Sequence, residues 1–310
     1  QTSTLVGDIT KARNIFKFKQ CSFFMIWFIF AFLAAIFDAT YFAFTKKLVK
    51  NVKESNLATG VFLTAFLVLF IVSLVKGFPK LGPNFILAVV GMSITNIVMI
   101  NLYYTALKIG DISLAVPMMS FTPIFLIATS FFFLGELSTL FGIIGIFFIV
   151  FGSYFLNFSF SGKYLDPFKS IFKNKTTLYM LIVAFLASIA VNFEKMTVLN
   201  SDIFFGSSIV YLIIGSYFLL VSLFRKGGGS FFGGKSKQIF LLGFIVSLIA
   251  VCMNIAFTMQ IVPYVVSIKR VSLIFAVLYG RYMFKEKDTL KRFWATLVML
   301  LGVVLIVLFG

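Results

Sequence analysis

The stretch VVSIKRVSLIFAVLYGRYMFKE, Val265 to Glu286, decides how the chain is read. It is apolar over a length sufficient to cross a bilayer, because a helix of about 20 residues spans the roughly 30 Å of hydrocarbon. Yet Lys269 and Arg270 stand side by side near its start. A cation at bilayer depth costs about 2.5–3.5 kcal/mol on insertion scales. Such residues face protein or a watery cavity and contact something negative, so two adjacent ones mark this segment as functional.

The sequence on either side has the same apolar character. Of 310 residues, 61% are hydrophobic and only 12% charged, a composition that no hydrated globular surface accommodates. The chain therefore reads as an all-α integral membrane protein. Lysine and arginine number 27 against 10 acidic residues. The excess lies mostly in short loops, where it speaks for topology and headgroup contact and not for nucleic acid. There is no histidine, and Cys21 and Cys252 fall in different segments, which argues against a disulfide framework or a thiolate–imidazole metal site. No cofactor is expected. Residues 1–22 form a polar tail without the apolar core or cleavage site of a signal peptide.

Ten apolar runs can be counted, at approximately 23–44, 57–75, 85–107, 112–134, 139–157, 177–199, 203–224, 239–260, 263–284 and 290–309. Laid on itself, the chain repeats. One offset places AFLAAI (Ala31 to Ile36) on AFLASI (Ala184 to Ile189). Another places Ile124, Phe125, Glu136 and Gly152 on Ile274, Phe275, Glu286 and Gly302. Both offsets preserve the order of five helices. Five is odd, so the second copy enters the membrane inverted, the arrangement on which many secondary transporters build a midplane site. The expected units are the tail, a first five-helix repeat at 23–157, a linker at 158–176 and a second repeat at 177–309.

Several polar residues share the apolar segments with Lys269 and Arg270. Asp38 lies in helix 1, and Glu194 and Lys195 in helix 6. Three cations against two acids leave a local net of +1, which favours an anionic or zwitterionic substrate over a cationic drug. Buried ion pairs that merely brace helices are the competing reading. Helical spacing groups further candidates: Ser188, Asn192 and Lys195 in helix 6, Asn96 and Tyr103 in helix 3, Ser247, Asn254 and Thr258 in helix 8, and Asp38 with Tyr41 in helix 1. Each stripe is either a polar path or a set of interhelical hydrogen bonds. In helix 9, Lys269 and Ser272 share a face with Ala276, while Arg270 is turned by about 100°. Pro117 and Pro123 bend helix 4, as gating hinges or as packed kinks. Asp38 and Glu194 are the candidates for proton coupling. Glu136 and Glu286, at the ends of helices 4 and 9, are expected to cap helices 5 and 10.

The stretch YYTALKIGDISLAVPMMSFTPIFLIATSFFFLGELSTLFGIIGIFFIVFG and its second-half counterpart ending FKEKDTLKRFWATLVMLLGVVLI resemble the drug/metabolite transporter superfamily, in particular its ten-helix EamA-type members. An Ala-Leu at a helix end, a Pro-containing helix 4, a following Gly-Glu and a Gly-rich helix 5 carry the resemblance, which extends over residues 23–309. It implies a cavity bordered by helices 1, 3, 4, 6, 8 and 9, with helices 5 and 10 peripheral. The segment SIKRV further resembles the Lys-Arg pair in helix 9 of plastidic phosphate translocators, although helix 4 here contains no lysine to match that branch.

The expected activity is secondary transport of a small anionic or zwitterionic metabolite by alternating access. The alternatives are broad export of amino acids or hydrophobic drugs and, more remotely, a membrane-embedded lipid-modifying enzyme, for which no acid pair or metal spacing is visible. The expected setting is the cell membrane, plasma or inner, with the lipid bilayer and a small molecule as partners and a homodimer left open. Orientation is contested within the sequence. The resemblance implies cytoplasmic termini, whereas the lysines and arginines of the odd-numbered loops place the termini outside.

Overall fold

The computed structural model describes residues 26–45, 48, 52–109, 118–157, 175–224, 231–275 and 289–310, and their side chains except at 104, 107–109, 156–157 and 289–293. The described residues form ten helices and no strand. These are α1 (Ile26–Thr45), α2 (Glu54–Lys76), α3 (Phe85–Ile109), α4 (Thr122–Leu134), α5 (Leu140–Asn157), α6 (Lys175–Leu199), α7 (Phe205–Phe224), α8 (Ser236–Met259), α9 (Val262–Lys269) and α10 (Thr289–Phe309). Helices α1, α2, α3, α6, α7 and α8 are long and apolar enough to cross a membrane, and α4, α5 and α10 are shorter apolar helices. Val75, Ile86, Phe132 and Phe224 lie largely exposed on the outside of the bundle. A surface so apolar is solvated by lipid tails, and helices are suited to it because they satisfy their backbone polar groups internally. The chain is a multi-pass membrane protein.

Several helix pairs join the first five helices to the last five. Helix α2 packs on α7, α4 on α9 and α5 on α10, each helix against the one five places further along the chain. The contact of α2 with α8 is matched by that of α7 with α3. The α5–α10 pair shows why glycine recurs there. A Cβ on Gly302 would come within 2.5 Å of the Gly145 carbonyl oxygen, and one on Gly152 within 2.8 Å of the Ala295 oxygen. Positions rise along α5 as they fall along α10, so the two run antiparallel with their backbones in contact. Both also present broad apolar outer faces, including Phe147, Phe151, Leu300 and Val304.

Two predicted helices are not continuous. Within the run at 112–134, Met118 and Met119 are helical, a turn falls at Ser120 and Phe121, and α4 follows from Thr122. The run at 263–284 turns at Arg270 and Val271 after α9, with one further helical turn at 272–275. These breaks fall on equivalent positions of the repeat and use the same bonds. Phe121 N–H donates to Met118 O (3.2 Å) as Val271 N–H does to Ile268 O (3.0 Å). Ile124 N–H donates to Phe121 O (3.0 Å) as Ile274 N–H does to Val271 O (2.9 Å). Each bond closes the tighter three-residue turn in place of the four-residue one, a local form that marks strained or hinged helix positions. At α4 the cause is Pro123, which has no N–H to give; the Thr122 hydroxyl bonds Met119 O instead, at 2.8 Å. At α9 no proline occupies the break, and Arg270 N–H is shared between Val266 O and Ser267 O.

Pro117, Ala276, Glu286, the tail at 1–22 and nearly all of the linker at 158–176 lie outside the described residues.

Candidate substrate site

Lys269 closes α9, where a cation also complements the negative end of the helix dipole, and Arg270 occupies the turn that follows. Across the interface between halves, Asp38 of α1 places its Oδ1 3.4 Å from Lys269 Nζ. Asp38 also interacts electrostatically with Arg270. On α6, Glu194 is half-buried and lies in the field of Lys269. Two cations and two acids from α1, α6 and α9 thus share one neighbourhood.

Tyrosines join it from three helices. Tyr41, one turn beyond Asp38 on α1, is within electrostatic reach of Asp38 and of Tyr103 on α3, and Tyr211 on α7 is within reach of Glu194 and Tyr41. The sequence reading missed Tyr211. In a chain with 55 Phe and Tyr residues, a tyrosine on a helix not assigned to the cavity carries no distinguishing signal.

Arg270 Nε is buried without a hydrogen-bond partner. An unpaired donor on a charged group is costly in a low-dielectric interior, so the guanidinium is poised for an acceptor. Ser272, also buried, opens the helical turn beyond the break.

Lys195 is placed elsewhere. Its Nζ lies 2.5 Å from Glu136 Oε1 and donates to Gln260 O at 2.7 Å, with both side chains of the pair about nine-tenths buried. Glu136 Oε2 accepts the Val262 N–H at 2.8 Å. Glu136 therefore holds the N-terminus of α9, whereas its position in the sequence suggested α5. The local charge count changes as a result. With Lys195 matched by Glu136, the central set is formally balanced, Lys269 and Arg270 against Asp38 and Glu194, in place of the net +1 read from the sequence.

The polar stripes fall mainly on helix contacts. Asn192 is fully buried. It accepts from Ser130 Oγ at 2.8 Å and donates to Thr129 Oγ1 at 3.0 Å and to Ser188 O at 2.9 Å, joining α6 to α4. Asn254 donates to Ile203 O and Ser207 Oγ, joining α8 to the start of α7. Asn96 is half-buried and donates to Met92 O within α3. Ser188, Ser247 and Thr258 bond carbonyls of their own helices. Pro123 is buried in the first turn of α4.

Comparison with known proteins agrees with this architecture. No curated protein matches the chain in sequence. Among solved structures with a similar fold, one described as "Crystal structure of protein" superposes with a TM-score of 0.71 at 14% identity, covering 92% of this chain and 96% of that one. At that identity the likeness is one of fold. Residues 25–158 match the EamA-like transporter family. The match covers the first half of the chain, and the family it points to implies a membrane transporter of the drug/metabolite type.

Proposed function

We propose that the chain is a secondary active transporter that moves a small anionic or zwitterionic metabolite by alternating access around Lys269 and Arg270. The observation that carries this reading is the convergence of Asp38, Glu194, Lys269 and Arg270 from α1, α6 and α9, beside a helix break that recurs at Ser120 in the other half. Paired discontinuous helices at the interface between halves are the arrangement on which inverted-repeat transporters build a substrate site near the midplane.

The charge balance supports a division of labour. Arg270, with its unmatched Nε, receives the substrate's carboxylate or phosphate, and Lys269 assists once Asp38 releases it. A zwitterion places its ammonium by Glu194 and the hydroxyls of Tyr41 and Tyr211. For a purely anionic substrate, a proton on Glu194 takes the site from formally neutral to +1. Substrate and proton then load together, and the proton gradient drives transport. Tyr103, Asn96 and Ser272 complete the lining in this reading. Asn192, Lys195 and Asn254 hold helices around it, and Pro123 permits α4 to bend.

Broad export of amino acids or hydrophobic drugs remains the second reading, favoured by Tyr41, Tyr103 and Tyr211 in the neighbourhood of the charges. The cell membrane is the setting proposed for either activity.

The test is a thermal-shift screen of phosphorylated, carboxylated and zwitterionic metabolites in detergent, followed by exchange assays in liposomes. Lys269→Ala and Arg270→Ala are expected to abolish both stabilisation and exchange. Full binding and exchange of every substrate found in both variants would overturn the reading.

A further inference from the structure

A buried group held by several bonds lies at one end of the bundle, around Glu136. The residue follows Gly135, whose φ of 69° turns the chain off α4, and Glu136 N–H bonds back to Ser130 O at 3.3 Å. That double-back is a Schellman-type cap, so the Glu136 backbone moves with the end of α4. Its carboxylate reaches into the other half of the molecule. One oxygen pairs with Lys195 of α6 at 2.5 Å, the other takes the Val262 N–H at the start of α9 at 2.8 Å, and Lys195 is held in turn by Gln260 O.

Both anchors lead directly to the substrate site. Lys195 is the neighbour of Glu194 on α6. Val262 begins α9, an eight-residue helix whose last residue is Lys269 and whose cap is Arg270. One ion pair therefore fixes, from the same end, the helix that carries the acid and the helix that carries the cations. Its energetics are two-valued. In a dry interface, parting the charges leaves both buried and unmatched, which is strongly unfavourable. When water enters, the higher dielectric reduces that cost severalfold. The pair is stable while this end of the bundle is closed and expendable once it is open.

We infer that Glu136 and Lys195 are positioning residues that form a latch. Made, it sets Glu194 and the Lys269–Arg270 pair and closes this end of the bundle; broken, it lets α4 part from α6 and α9 and opens a path to them. The inference rests on the alternating-access reading above, since relative movement of the halves is what separates α4 from α6 and α9.

The test uses the full chain in lipid nanodiscs, with no substrate present. Cys21 and Cys252 are replaced by Ser and Ala, and a reporter cysteine is introduced as Val191→Cys, at a half-buried position one turn deeper than Lys195 on α6. The rate of modification by a soluble maleimide is then measured. Glu136→Gln and Lys195→Met are each expected to raise that rate about tenfold or more. Lys195→Arg, which keeps the charge and donors, is expected to stay near the parent rate. Equal rates in all three variants, with cooperative melting retained, would overturn the latch. If Glu136→Gln does not fold, Lys195→Met tests the same pair from the other side. Failure here is separable from failure of the transport reading: a shifted rate in a protein that exchanges no metabolite leaves the latch standing, and active exchange with an unshifted rate removes it.

Discussion

Asp38 Oδ1 lies 3.4 Å from Lys269 Nζ, a contact that joins the first helix of one half to the broken helix of the other. The two side chains keep 29% and 31% of their surface exposed, so solvent screens the attraction. A double-mutant cycle of Asp38→Asn and Lys269→Met is expected to give a coupling of about 1 kcal/mol or less in melting experiments. A weak bond is what a site needs if substrate is to displace it. The loss of function in each single variant is expected to exceed the loss of stability, as read by exchange rate beside melting temperature.

Glu194 lies in the field of Lys269 and within reach of Tyr211. Glu194→Gln removes the proposed proton acceptor while preserving shape and hydrogen-bonding capacity. Exchange of substrate for substrate should survive in this variant, whereas uptake driven by an imposed proton gradient should fall to the background of empty liposomes. Gradient-driven uptake equal to wild type would remove Glu194 from the coupling role.

Asn192 makes three hydrogen bonds in a fully buried position between α4 and α6. Asn192→Ala should lower stability by about 0.6–1.7 kcal/mol, from the mean to the maximum measured for interhelical hydrogen bonds in a membrane protein. The order of preference among substrates should not change. A changed preference would return Asn192 to the cavity lining proposed from helical spacing.

Gly302 and Gly145 bring α10 and α5 into backbone contact, with 2.5 Å available where a Cβ would stand. Gly302→Val forces the helices apart and is expected to cost about 1–3 kcal/mol by overpacking. Because α5 and α10 carry none of the charged residues of the site, the folded fraction should keep its substrate affinity, measured by thermal shift against concentration.

How much of this was legible in the sequence depends on the range of the interaction. Ten apolar runs announce ten helices because lipid requires each span to satisfy its own backbone, so the signal is local in the chain. The repeated Glu, Gly, Ile and Phe positions likewise pointed to two five-helix halves, but not to which helices would pair. Proline at 123 signalled a disturbed helix 4, but nothing local marked the equivalent turn at Arg270 and Val271, where the backbone tightens without a proline. The oddity of Lys269 and Arg270 was visible because charge in hydrocarbon is costly wherever it stands.

Only the tertiary structure decided which charge meets which. Along α6, Glu194 and Lys195 are neighbours in sequence, yet about 100° of helical rotation sends one towards Lys269 and the other to Glu136. That rotation removes one cation from the central count and leaves the site formally balanced. It also makes Glu136, legible only as a repeated acid near a helix end, a residue that ties α4 to α6 and α9. The sequence by itself established a ten-helix membrane protein with two misplaced cations, because hydrophobicity and charge cost are properties of single segments. The partners of those cations follow from distances between helices far apart in the chain, which only the packed bundle defines.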